Sequence, residues 1–130
     1  MAEENEIQLR VPGSREYALV IRTALGGAAI LKNLDVGTMD DLRMAADEAC
    51  DCLLHQGLPV RALTVAIRDR DARLAVSIGA ELEGDGAGGG EEDRAVTQAV
   101  LETLAPEVRL TTTPGGCICR IDLVLPRAAG

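Results

Sequence analysis

The chain has 130 residues, the length of one domain, and 47% of them are apolar, enough for a core. That core must be aliphatic, because Trp and Phe are absent and Tyr17 is the one aromatic residue. A formal net charge of −8 argues against nucleic acid as a direct partner, since phosphate binding rests on Lys and Arg.

No apolar run approaches the ~20 residues of a membrane span. The start, MAEENEIQ, is acidic where a signal peptide is basic and then apolar, so a cytoplasmic protein is expected. Four cysteines in such a chain are not expected to form disulfides.

Residues 6–11 alternate apolar and polar, with Ile7, Leu9 and Val11 on one face, the pattern of a half-buried strand. Pro12 and Gly13 end it, and Ser14 can cap a following helix. In that helix Tyr17, Val20, Ile21, Ala24, Leu25, Ala28 and Leu31 form an apolar stripe, interrupted by Gly26-Gly27. Thr38 and Asp41 are spaced as a capping box for a second helix over 39–56, with Leu42, Ala45, Ala46, Ala49 and Leu53 inward. Two alternating runs, 63–68 and 73–79, flank Asp69-Arg70-Asp71 and predict an antiparallel hairpin.

A glycine-rich loop is expected over 83–90. The next helix, over 91–105, carries Ala95, Val96, Ala99, Val100 and Leu104 on its expected core side, and Pro106 ends it. A last hairpin follows, 108–112 and 117–125, in which Cys117, Cys119, Ile121, Leu123 and Leu125 are expected to share a face. The whole predicts one domain over 1–130: a two-layer α/β sandwich, its sheet mixed or antiparallel, with the helices on one face.

The stretch from Ser14 to Gln56 resembles the front half of the anti-sigma-factor serine/threonine kinases, within the gyrase/Hsp90/histidine-kinase type ATPase superfamily. The residues that carry the resemblance are Tyr17 in the first helix and Asp41, Leu42, Arg43, Ala45, Glu48, Ala49 and Cys50 in the second. The segment LETLAPEVRL resembles the family's later helix and strand, and the order of elements agrees along nearly the whole chain. The resemblance implies a histidine-kinase-type ATPase fold, ATP with Mg²⁺ as cofactor, and Glu48 as general base. It also implies a sigma factor or an anti-sigma antagonist as protein partner, and homodimerisation through the first strand and helix.

The positions that hold nucleotide in the family are largely replaced. The Asn that anchors Mg²⁺ falls at Cys52, a soft donor where the ion prefers hard oxygens. The adenine-reading Asp falls at Ala80, and of the glycines behind it only Gly84 is in place. A frame shifted by two residues regains Gly84 and Gly86 but puts Leu82 at the Asp. The later phosphate-binding glycines fall at Ala95 and Thr97, and the Thr that supports the Asp falls at Cys117. Glu83, Asp85, Glu91, Glu92 and Asp93 would moreover repel a triphosphate.

A regulatory protein of the anti-sigma kinase type is therefore expected, acting by protein binding, with no competent ATP site and no cofactor. The alternatives are an active kinase with an atypical pocket and a thiol metal-binding protein using Cys52, Cys117 and Cys119. Against the last stands the ordinary behaviour of cysteine as a small buried apolar residue. His55, the one histidine, is expected to be a helix-end residue.

Overall fold

The computed structural model describes residues 6–86 and 90–126. Five strands, β1 (Ile7–Pro12), β2 (Val60–Arg70), β3 (Arg73–Leu82), β4 (Glu107–Thr112) and β5 (Ile118–Pro126), form one sheet in the order β1-β2-β3-β5-β4. Every neighbouring pair is antiparallel, so the open choice between a mixed and an antiparallel sheet resolves to the latter. Three helices, α1 (Ala18–Leu31), α2 (Val36–Leu54) and α3 (Glu91–Glu102), complete the two layers.

Strand alternation sets the inner face. Leu63, Val65 and Ile67 of β2, Leu74, Val76 and Ile78 of β3, and Ile121, Leu123 and Leu125 of β5 join one buried cluster with Ile21 and Leu25 of α1 and Leu42, Ala46 and Leu53 of α2. Alanines along α2 let that helix lie close to the sheet, and Ala45 and Ala49 are fully buried. The opposite sheet face carries small or charged groups such as Thr64, Ala66, Ser77, Arg68 and Asp122.

Several local expectations shift. Asp35, not Thr38, caps α2: its Oδ1 accepts from the Thr38 N–H at 2.7 Å, and this holds its carboxyl below the usual carboxylate range. The helix stops at Leu54, and Gly57 takes a left-handed φ of 83° that side chains disfavour. A 3₁₀ turn, Arg15–Tyr17, precedes α1, and Ser14 makes no side-chain cap bond there. On α1 the buried residues are Ile21, Leu25, Ala28 and Ala29, whereas Val20 and Leu31 face outward.

The largest correction is α3. Four of its five expected core residues, Ala95, Val96, Ala99 and Val100, are exposed, while Arg94, Thr97 and Gln98 turn inward with Leu101; Leu104, past the helix end, does pack on the core. The cause is polar anchoring, because Arg94 Nη1 donates to Gly116 O at 3.1 Å and Gln98 Nε2 donates to Val108 O at 2.9 Å. The last strand also departs. A register shift pairs Thr112 with Ile118 but Thr111 with Arg120, so the bulge gives the inward place to Ile118 and removes Cys119 from the core face. The loop expected over 83–90 lies partly outside the described residues, at 87–89.

Candidate functional site

The end of α2, the link after β3, the start of α3 and the β4–β5 turn meet at one corner of the sandwich. There Gln56 binds the backbone of Ile118 twice: its Nε2 donates to Ile118 O at 2.6 Å and its Oε1 accepts from Ile118 N at 2.5 Å. The last β3–β5 pair is Gly79 with Arg120, so beyond it the Gln56 amide does the work of a strand. Asp85 holds the neighbouring turn, accepting from Thr113 Oγ1 at 2.6 Å and from Gly115 N at 3.0 Å. A Cβ on Gly115 would run into Gly86 O and the Asp85 carboxylate, which explains the glycine.

The positions singled out in the sequence are only partly gathered here. Cys52 Sγ lies 3.8 Å from Thr97 Oγ1, joining α2 to α3. Glu48 lines the same cavity of about 230 Å³, with Asp51, His55, Asp93 and Arg94. Cys117 is buried and its Sγ donates to Gly86 O at 3.5 Å. Ala80 packs partly buried against the core, Gly84 takes a φ of 85°, and Ala95 is exposed on the outer side of α3.

This set of groups offers a magnesium-bound triphosphate little complementary charge. The cavity is smaller than the ~300 Å³ at which ligand pockets usually begin. Three carboxylates line it against Arg94. Burial, chiefly, raises the Cys52 thiol, and Glu48 and Asp51 add to this although the Thr97 contact opposes it, so the group is not a ready anionic ligand. Burial beside Asp47 and Asp51 pushes Cys50 up to about 11.

The three-thiolate arrangement is not assembled either. Cys52 faces Thr97, Cys117 faces Gly86 and Cys119 Sγ donates to Thr111 O at 3.5 Å. Among the described residues no group of three or more His, Cys, Asp or Glu could hold a metal ion.

A second concavity lies on the helix layer. A groove of about 840 Å³ between the 3₁₀ turn, α1 and α2 has Ala18, Leu19, Met44 and Leu54 as apolar lining and Arg15, Asp47, Glu48 and Asp51 as charged lining. Arg22 and Asp47 form an ion pair at 3.1 Å between the two helices. Along its length α1 exposes Leu19, Val20, Ile30 and Leu31, and open space surrounds Gly26 and Gly27. Sequence reasoning missed this surface because α1 is apolar almost all round, so its stripe alone does not say which side is covered. It also missed Gln56, Asp85 and Arg94 as fasteners, since hydrogen bonds across tens of residues leave no periodic signal.

The fold, an antiparallel sheet covered by helices, recurs in a solved structure. The chain superimposes with a TM-score of 0.72 over 96% of its length on the crystal structure of the RsbU and RsbW domains of Rv1364c from Mycobacterium tuberculosis, at 17% identity and over 34% of that chain. In sequence it is 30% identical over 74 residues to anti-sigma-F factor RsbW of Mycobacterium tuberculosis, in strains CDC 1551 and H37Rv alike. That match covers 57% of this chain and 44% of the relative, so the chain aligns with less than half of the relative's length. No family model matches. The chain is thus similar, over part of its length, to an anti-sigma-F factor. No helix among the described residues is long and apolar enough to cross a membrane.

Proposed function

We propose that this chain is an anti-sigma-type regulator that acts by binding a protein partner and has no competent ATP site. The observation that carries the reading is the α1–α2 groove with its exposed apolar margin of Leu19, Val20 and Met44. Exposed apolar surface of this kind marks contact sites on other proteins. The relative's name, anti-sigma-F factor, makes a sigma factor the first partner to test, and an anti-sigma antagonist the second. Serine/threonine kinase activity finds no support in the small, acidic cavity beside Cys52 and Thr97.

A homodimer through β1 and α1 completes the reading. β1 is an edge strand, and the open space at Gly26-Gly27 lets another backbone approach closely. Co-purification with sigma factors of the host, for wild type and for Leu19→Asp/Met44→Asp, tests the binding role. Retention of a sigma factor by the wild type and its loss in the variant is the expected result. Retention by both proteins would refute the groove as the contact. Calorimetry with ATP and Mg²⁺ should give no heat of binding at millimolar nucleotide, and micromolar affinity would overturn the absence of an ATP site.

A further inference from the structure

Helix α3 is folded with its amphipathic sides exchanged. Val96 is 62% and Val100 38% exposed, and Ala95 and Ala99 lie open beside them. The inward polar groups are all engaged: Arg94 with Gly116, Thr97 with Cys52, and Gln98 with Val108. The orientation is therefore fixed by specific bonds, and the apolar stripe is presented rather than merely left over.

The charge that α3 itself sets around the stripe has one sign. Glu91, Glu92 and Asp93 stand at its start and Glu102 at its end, and Arg94, the one basic residue of the helix, is turned inward. The helix dipole accounts for the acids in the first turn, and Glu102 in the last accepts from Gln98 Nε2 at 3.2 Å, which holds its carboxylate at the edge of the stripe. An acidic surface of this kind repels nucleic acid, anionic lipid and a second copy of the same helix. What it complements is a protein segment that brings apolar side chains flanked by Lys or Arg.

We infer that the outer side of α3 is a docking surface for a basic, apolar segment of a protein partner, separate from the α1–α2 groove. None of the residues that line that groove comes from α3, so the two surfaces can be occupied independently.

The test is an NMR titration of the ¹⁵N-labelled chain with an 18-residue helical peptide of leucine and lysine, and with its leucine–glutamate counterpart as control. The lysine peptide should shift amide signals of residues 91–103, and the glutamate peptide should leave them in place. Val96→Ser/Val100→Ser should weaken binding by about tenfold or more through lost apolar contact. Glu92→Gln/Glu102→Gln keeps the stripe and an acceptor for Gln98, removes two flanking charges and should weaken the same peptide severalfold. Both changes are at exposed positions, and a melting temperature equal to wild type checks the fold. Shifts confined to α1 and α2, no shifts at all, or equal affinity for both peptides would each overturn the proposal.

Discussion

Replacing Gln56 by Ala removes both hydrogen bonds that close the corner between α2 and β5. Each is worth about 0.5–1.5 kcal/mol net, and the loss leaves the N–H and C=O of Ile118 without this partner, which places the expected cost at about 2–3 kcal/mol. Ile118 is only 3% exposed, so water does not readily replace the amide. Against a total stability of about 5–15 kcal/mol, this is a large fraction. Urea denaturation followed by circular dichroism should show a lower midpoint with an unchanged slope, because the surface exposed on unfolding is the same. Gln56→Glu keeps an acceptor for Ile118 N but sets a carboxylate against Ile118 O, so at neutral pH it should not restore the loss. A cost below about 0.5 kcal/mol for the alanine variant, within the range of an ordinary surface change, would refute the reasoning.

Asp35 supplies an acid-sensitive cap. Its folded pKa is lowered by the Thr38 backbone bond, so its stabilisation is present above the ordinary carboxylate pKa and lost as pH falls through the lowered value. Asp35→Asn, which keeps the cap oxygen, should flatten the acid limb of a stability–pH profile, and an unchanged limb would count against this cap. Cys50, raised to about 11 and buried, should react with a thiol reagent at pH 8 far more slowly in the native state than after denaturation. Equal rates in the two states would show that the thiol is not shielded.

The layers were legible because apolar spacing reports them directly. The stripe Leu42, Ala45, Ala46, Ala49 and Leu53 on α2 and the alternation through β2 and β3 appear in the structure as expected. Where polar bonds outweigh apolar preference the pattern misleads. Arg94 and Gln98 hold α3 the other way round, and a one-residue bulge before Arg120 moves Cys119 off the face that Ile118 joins. At the corner site, proximity depends on pairings such as Gln56 with Ile118, which no window of sequence contains. The replaced positions could be named from the resemblance. That Ala95 faces outward while Thr97 meets Cys52 depends on the rotation of α3, which only those long-range bonds determine.

The sheet consists of two local ribbons and two distant joints, β1 with β2 and β3 with β5. β2 with β3 and β4 with β5 are neighbours along the chain, but β3 meets β5 only after the whole of α3 has been passed. The ribbons can form early at little loop-closure cost, whereas each joint closes a long loop before its contacts repay the entropy. The joint that unites the two ribbons runs along the line from Leu74–Leu125 to Ile78–Ile121. Gln56 lies just past the end of that line, and its grip on Ile118 ties the helix layer to the joint between the two ribbons.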